Sequence, residues 1–268
     1  MLPDTHMHTV LCKHASGTPA EYRKAAASRA VPEICFTDHA PNPDGVGAMY
    51  AMEMNQFDDY RKMISEIQDS SKPAVFIGVE CDYYPECEKY YSSWVPAQDL
   101  DLVLASVHYI GGWGFDNEKE MAGWKSADVS GVWRRYFEIV GNMADSRLFD
   151  VIGHFDLPKK FGHRLRDKPL KEMVQPLLDT VAAAGMTIEI NTAGLRKPVK
   201  EIYPSDLILS LARERGIPIC FGSDAHEPDQ VGADFDKALK LATDVGYDSY
   251  VKFRKRQSLP ARLGAGNE

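Results

Sequence analysis

Two short motifs place pairs of metal-binding side chains two residues apart in the sequence. His6 and His8 form one pair near the start of the chain, and Asp224 and His226 form the other near its end. In an extended segment, residues two positions apart point to the same side. Each pair can therefore bind one or two ions without distorting the backbone, and imidazole and carboxylate groups suit zinc, manganese or iron.

Further side chains of the same types follow other short apolar runs. They are His39, Glu80, His108 and His154, and His14 lies in a predicted loop six residues beyond His8. Nine such groups on one face would leave many buried lone pairs unsatisfied unless metal ions bound them. The pattern therefore predicts a metal cluster held by all nine residues. Asp38 alternates to the opposite face from His39, so we expect it to orient a ligand instead.

Seven short β-prone runs alternate with amphipathic helical stretches. The runs are Leu2–His6, Glu33–Thr37, Ala74–Val79, Leu102–Val107, Phe149–Gly153, Met186–Ile190 and Ile217–Gly222. This alternation predicts an α/β fold with a parallel sheet. Because no Gly-rich phosphate loop follows the first run, a closed (β/α) barrel of the TIM type is favoured over an open dinucleotide-binding sheet. Active sites of such barrels form at the carboxyl ends of the strands, where the candidate ligands occur.

The organisation of the chain predicts one domain over residues 1–268, since no internal repeat or low-complexity linker interrupts it. The segment Thr18-Pro19 is typical of the start of a helix, with a capping residue and a first-turn proline. Two long loops are predicted, over Tyr83–Gln98 and Gly111–Ser130. The tail from about Gln257 onward is predicted to be a flexible end.

Composition limits the classes of partner. The formal charge of −8 disfavours nucleic acid bound by a broad basic surface, although a metal cluster could attract a small anion. No apolar run reaches the roughly 20 residues that cross a bilayer. The first residues lack the features of a signal peptide, so a cytoplasmic location is expected. The five cysteines form no CxxC pair, which argues against a disulfide framework or a cysteine-type zinc site, and nothing indicates the oligomeric state.

Several motifs resemble those of a known family. The segment Asp4-Thr-His-Met-His-Thr, with His14, Phe36-Thr-Asp-His39 and Gly222-Ser-Asp-Ala-His226, resembles the PHP (polymerase and histidinol phosphatase) superfamily. More narrowly, four segments are similar to the histidinol-phosphate phosphatases of that superfamily. They are Gly78-Val-Glu-Cys-Asp-Tyr-Tyr-Pro85, Ser106-Val-His-Tyr-Ile-Gly-Gly-Trp-Gly-Phe-Asp116, Gly153-His-Phe-Asp-Leu-Pro-Lys-Lys160 and Asn191-Thr-Ala-Gly-Leu-Arg-Lys-Pro198. The resemblance covers roughly residues 4–232.

The resemblance implies a distorted seven-stranded barrel with three divalent transition-metal ions. The first ion would be held by His6, His8, Glu80 and Asp224, the second by Glu80, His108 and His154, and the third by His14, His39 and His226. The implied reaction is hydrolysis of a phosphomonoester by a hydroxide that bridges the metals. Glu80, Asp224 and His226 would then be catalytic through that hydroxide.

Cationic and aromatic side chains near the predicted mouth are candidates for substrate binding. Arg196 follows the sixth predicted strand, whose end carries no metal ligand, and its planar guanidinium suits a phosphate group. Lys159 and Lys160 offer further positive charge after the fifth strand. Trp113 and Phe115 occur in a Gly-rich loop and could pack against a flat leaving group such as imidazole. A solvated surface position or simple loop packing remains open for each of them.

The residues leave several functions open. The leading hypothesis is a phosphatase that converts histidinol phosphate to histidinol and phosphate in histidine biosynthesis. A PHP phosphatase or phosphoesterase for another small phosphate or nucleotide is the alternative enzyme. A metal-binding regulatory protein is the alternative without catalysis. An exonuclease module associated with a polymerase is disfavoured, because a basic stripe for nucleic acid is missing from the sequence.

Overall fold

A curled parallel β-sheet forms the centre of the computed structural model, which describes residues 1–264. The strands are β1 Glu33–Phe36, β2 Ala74–Asp82, β3 Leu102–Ser106, β4 Tyr109–Ile110, β5 Trp113–Gly114, β6 Val151–Ile152, β7 Thr187–Asn191, β8 Ile219–Gly222, β9 Ser249–Arg254 and β10 Gln257–Arg262. The parallel sheet has the order β1-β2-β3-β6-β7-β8, while β4–β5 and β9–β10 are separate antiparallel pairs.

Seven α-helices occur in the described residues and connect the strands. They are α1 Pro19–Ser28, α2 Phe57–Ser65, α3 Glu88–Ala97, α4 Val129–Ser146, α5 Asp167–Ala184, α6 Asp206–Glu214 and α7 Phe235–Asp244. Helix α1 begins as predicted, because Thr18 and Glu21 form a reciprocal capping box and Pro19 occupies the first turn. The long helix α4 buries Val132, Tyr136 and Val140, which the spacing of four residues places on one face.

The N-terminal segment joins the two edges of the sheet. Asp4 pairs with Ile34 of β1 and Met7 pairs with Ala225 beyond β8, both in parallel. The amide of Thr5 also donates to the carbonyl of Phe221 at 2.9 Å. The predicted first strand, Leu2–His6, is therefore an extended segment with isolated bridges, because its residues alternate between two neighbouring strands. The predicted α/β barrel of the TIM type is confirmed, with six parallel strands in a curled sheet.

The two long loops of the sequence prediction contain regular structure. Helix α3 lies within the first of them, since the buried Tyr91 and Val95 are four residues apart and face the core. The second contains β5 and the turn that joins it to β4, in which Gly111 and Gly112 have positive φ angles of 58° and 83°. It also contains the 3-10 helix Glu118–Lys125.

The prediction of a flexible tail from about Gln257 is wrong for the first part of that segment. Residues of β10 pair with β9 from Gln257 to Arg262, and only residues 265–268 of the predicted tail lie outside the described chain. The hairpin turn is attached to the barrel, because the guanidinium of Arg256 donates to Asp150 at 2.9 Å and its amide donates to the carbonyl of Asp101.

No helix among residues 1–264 combines the length and the apolar character needed to traverse a lipid bilayer.

The C-terminal hairpin should contribute to stability through Phe253, which is 5% exposed and packs among Leu102, Leu104 and Val151. We expect Phe253→Ala to lower the free energy of unfolding by about 3–5 kcal/mol. Urea denaturation measures this change. Leu259→Ala, on the exposed partner strand, is the control and should change stability by less than about 0.5 kcal/mol. Equal, small effects of both substitutions would mean that the hairpin is not part of the cooperative unit.

Candidate metal centre

The carboxyl ends of the strands bring the predicted ligands to one cavity. Glu80 lies near the end of β2, and His108, His154 and Asp224 each lie two residues beyond β3, β6 and β8. His39 follows β1 and bridges to Glu80. The cavity has a volume of about 580 Å³ and is lined by seven of the nine predicted ligands, namely His14, His39, Glu80, His108, His154, Asp224 and His226. His6 and His8 are fully buried beneath them.

Two carboxylates lie at the centre of the imidazoles. One oxygen of Glu80 lies 3.3 Å from the Nε2 atom of His6, and the other lies 3.2 Å from the Nε2 atom of His154. The Oδ1 atom of Asp224 lies 3.3 Å from the Nε2 atom of His8 and 3.5 Å from the Nδ1 atom of His226. The structure thus brings all the predicted ligands together.

Imidazole nitrogens face each other in three pairs. The distances between Nε2 atoms are 3.2 Å for His6–His8, 3.2 Å for His108–His154 and 2.8 Å for His14–His226. A neutral imidazole has one lone pair for a metal, and two such lone pairs repel each other unless a cation or proton is shared. The convergent nitrogen and oxygen donors therefore fit divalent metal ions, and His39, Glu80 and His108 are among the groups with ligand spacing.

Charge within the site keeps the carboxylates ionised. Burial raises the pKa of Glu80, but the charges of His6 and His39 outweigh it and hold that pKa well below its ordinary range. The pKa of Asp224 is lowered in the same way, against burial, chiefly by His6. Both side chains are therefore anionic at neutral pH and available as oxygen donors.

A carboxylate that the sequence analysis missed orients two of the histidines. Glu189 of β7 is fully buried, accepts a hydrogen bond from the Nδ1 atom of His6 at 2.8 Å, and accepts another from the backbone amide of His154 at 3.0 Å. The bond to Nδ1 leaves the Nε2 lone pair of His6 directed at the cavity floor. The available signal was Glu189 itself, a charged residue between Ile188 and Ile190 in a buried strand.

Two other carboxylates lie beside the Nδ1 atoms of ligand histidines. Asp82 accepts a short hydrogen bond from the Nδ1 atom of His108, and burial, which lowers the pKa of this histidine, is outweighed by the Asp82 charge, which raises it to about 9. Asp38 lies 3.5 Å from the Nδ1 atom of His8 and accepts a hydrogen bond from the amide of Thr9. Asp38 thus lies beside a predicted ligand, and its role in orienting that ligand stays a prediction.

The backbone next to two of the ligands contains glycines that leave no room for a Cβ atom, followed by residues with positive φ angles. A Cβ atom at Gly222 would lie 1.8 Å from the Oε1 atom of Glu189, and one at Gly153 would lie 2.4 Å from the Oγ atom of Ser106. The ligands that follow these glycines, His154 and Asp224, have positive φ angles of 23° and 53°. Such conformations are uncommon for residues with a Cβ atom and cluster at functional sites.

Cationic residues form part of the cavity wall beside the ligands. The guanidinium of Arg196 donates to the carbonyl of Ser223 at 2.5 Å, and its Nη1 atom is buried without a hydrogen-bond partner among residues 1–264. Lys160 also lines the cavity and is paired with Asp116 at 3.0 Å. Burial and then the charge of Lys160 lower the pKa of Lys197, a third cationic residue of the wall. The wall can therefore contact an anion that approaches the ligands.

Three residues predicted to bind substrate do not line the cavity. Lys159 is 3% exposed and donates to the carbonyl of Ile202 at 2.7 Å, because the 3-10 helix Leu157–Phe161 turns it inward. Phe115 is 1% exposed and packs in an aromatic cluster. The indole of Trp113 donates to a backbone carbonyl and packs against Trp124, so it holds the loop together.

The position of Glu189 leads to a prediction about metal affinity. Glu189→Gln keeps the shape of the side chain but removes the charge that orients His6, so we expect metal affinity to fall by about 10–100-fold. Competition with a chelator measures the affinity, and circular dichroism tests that the fold is retained. Glu138→Gln, an exposed substitution on α4, serves as the control and should leave affinity unchanged. Equal affinities of the Glu189 variant and the parent would contradict the orienting role.

Comparison with known proteins adds to this geometry. The model of the PHP domain family matches residues 4–193, and that of the PHP-associated family matches residues 205–233. A protein of Deinococcus radiodurans named "probable histidinol-phosphatase" is 44% identical over 97% of this chain and 99% of its own. The histidinol-phosphatase of Bacillus subtilis is 27% identical over 88% of this chain and 98% of its own.

A solved structure is similar in fold. The histidinol phosphate phosphatase of Lactococcus lactis, complexed with zinc, L-histidinol and phosphate, matches with a TM-score of 0.80 and 21% identity, over 96% of this chain and 98% of its own. The PHP domain match covers most of the sequence, and it includes the His6, His39 and His108 motifs that carried the resemblance. This chain belongs to the PHP domain family.

Proposed function

We propose that this protein is a metal-dependent phosphomonoesterase that hydrolyses histidinol phosphate to histidinol and phosphate. The observation that carries the proposal is the convergence of imidazole and carboxylate donors in one cavity whose wall also contains cationic side chains. A phosphomonoester dianion needs both features, since its hydrolysis requires charge neutralisation and an activated water. The 44% identical relative named for this activity supports the choice of substrate.

The nine donors are proposed to hold three divalent ions. The first would be held by His6, His8, Glu80 and Asp224, the second by Glu80, His108 and His154, and the third by His14, His39 and His226. Glu80 supports this division, because its two oxygens approach His6 and His154 on different sides. When bound, the ions would supply positive charge that neutralises a phosphate dianion and would activate water at neutral pH.

Ligand charge favours an anionic substrate despite the acidity of the whole chain. Three divalent ions would carry +6, while the donors Glu80 and Asp224 and the carboxylates Asp38, Asp82 and Glu189 beside the histidines formally carry −5, so a local surplus of about +1 would remain. Arg196 adds positive charge beside Asp224, whereas the charge of Lys160 is paired with Asp116. The site therefore attracts phosphate locally, while the formal net charge of the chain is −8.

The cavity wall supplies what a small phosphate ester needs beyond the metals. Arg196 is held by the carbonyls of Ser223 and Asp224, which direct its guanidinium towards the ligands. The volume of about 580 Å³ lies within the range of small-molecule sites and suits a substrate of the size of histidinol phosphate. Tyr50, Tyr109 and Tyr203 line the cavity and can contact the leaving group.

The experiment that tests this function is phosphate release by protein loaded with zinc, manganese or iron. We expect histidinol phosphate to be hydrolysed with a kcat/KM at least about tenfold higher than other phosphomonoesters, in line with modest pocket discrimination. Elemental analysis of the same sample should give close to three ions per chain. A higher kcat/KM for another phosphate ester would show that histidinol phosphate is not the substrate. A content of one ion per chain would overturn the three-ion assignment.

Arg196 provides a test of substrate binding. A charge-assisted hydrogen bond contributes about 1.5–3 kcal/mol, so Arg196→Ala should lower kcat/KM by about 10- to 150-fold with metal content unchanged. Arg196→Lys should recover only part of this, because an ammonium group cannot make the paired contact. Arg135→Ala, on the exposed face of α4, is the control. Steady-state kinetics that match the parent within about twofold would assign Arg196 a structural role only.

A further inference from the structure

A buried thiol lies beside the two histidines at the mouth of the site. We propose that the Sγ atom of Cys12 binds the metal ion between His14 and His226, as a sulfur donor in a site otherwise built of nitrogen and oxygen. This inference rests on the metal centre of the proposed function. It adds a ligand to that centre and gives one of its ions a chemical preference.

Two hydrogen bonds determine which ring nitrogens of these histidines can bind a metal. The Nδ1 atom of His14 donates to the carbonyl of Cys12 at 2.7 Å, and the Nδ1 atom of His226 donates to the carbonyl of Asp224 at 3.1 Å. In each neutral ring the lone pair is therefore on Nε2. The two Nε2 atoms face each other at 2.8 Å, so a shared metal ion or proton must lie between them.

The thiol is close enough to complete this pair. One ligand atom from each of Cys12, His14 and His226 lies within 4.8 Å of the other two. Zinc bonds of about 2.0–2.3 Å in tetrahedral geometry put donors roughly 3.3–3.8 Å apart. The two Nε2 atoms, 2.8 Å apart, would therefore move slightly apart, and small side-chain adjustments would bring all three donors onto one ion. The short 3-10 helix Val10–Cys12 and the left-handed conformation of Lys13 reverse the chain and set Cys12 beneath His14.

Cys12 differs in its surroundings from the other cysteines, which are Cys35, Cys81, Cys87 and Cys220. All are buried, yet within residues 1–264 Cys12 is the only cysteine that belongs to a group of side chains with ligand spacing. It also has this spacing to His8 and Asp38, which places it on the ligand side of the barrel. Its metal-binding role would be missed in the sequence because it has no CxxC partner and gains its neighbours through the fold.

A sulfur donor changes the metal that the site prefers. Thiolates are soft ligands that favour zinc over the harder manganese, whereas carboxylate oxygen tolerates both. With Cys12 added to His14, His39 and His226, the third ion has four protein donors, which is the usual number for zinc. We therefore expect this ion to remain zinc when the protein is exposed to an excess of manganese.

Absorption spectroscopy of the cobalt-substituted protein tests the proposal directly. Cobalt(II) bound by a thiolate has an intense sulfur-to-metal charge-transfer band in the near ultraviolet, which imidazole and carboxylate ligands do not produce. We expect this band in the full-length parent protein, its loss in Cys12→Ala and Cys12→Ser, and its retention in Cys35→Ala. Cys35 is the matched control, because it is a buried thiol in the strand β1 and lines a separate cavity with Asp4 and Glu33.

Elemental analysis after competition between zinc and manganese provides the second readout. Loss of the sulfur donor should lower the zinc-to-manganese ratio of one ion by at least about tenfold in Cys12→Ser, since even partners that only orient ligands affect affinity about 10–100-fold. Cobalt that binds without the band in the parent, or a band that survives Cys12→Ala, would overturn the sulfur ligand and leave the metal centre intact. A parent protein that binds no cobalt, zinc or manganese would overturn both proposals.

Discussion

Lone pairs of buried nitrogen and oxygen atoms repel one another unless a cation or a proton lies between them, and the rest of this structure depends on that constraint. His6 and His8 are fully buried with their Nε2 atoms 3.2 Å apart, and an oxygen of Glu80 on β2 lies 3.3 Å and 3.5 Å from them. An apolar core could not tolerate this arrangement without compensation. The barrel resolves it by directing the donors to the end of the sheet, where they fit divalent ions and face a cavity.

The need to orient the buried lone pairs also determines residues that do not line the cavity. His6 can present its Nε2 atom only because Glu189 holds its Nδ1 atom, and Glu189 has room only because Gly222 lacks a Cβ atom. The positive φ angle of Asp224 then turns the chain back so that its carboxylate reaches His8. A positive φ angle at a residue with a Cβ atom is maintained only where the surrounding structure holds it in place. The packing of the strands therefore determines the geometry of the ligands.

The sequence predicted the parts of the molecule that depend on local pattern. Ligand types at strand ends and the capping box of α1 were readable, because spacing alone determines them. The β9–β10 hairpin was not, since its turn, Lys255-Arg256, lacks the usual Asn-Gly signal and is stabilised by distant contacts of Arg256 with Asp150. The inward direction of Lys159 likewise depends on the remote carbonyl of Ile202. Long-range contacts of this kind cannot be read from a single sequence.

Strand β7 carries no predicted metal ligand, and the residues that follow it bring a cationic side chain to the cavity. Strand β7 ends at Asn191, whose amide donates to Glu189, and the following 3-10 helix brings Arg196 to the wall beside Asp224. Divalent ions bound to the proposed donors would repel the guanidinium of Arg196, and the two backbone carbonyls that it contacts would offset only part of that repulsion. An anion between the arginine and the ions would contact both and make the arrangement favourable. The position of Arg196 therefore agrees with the proposed phosphate substrate.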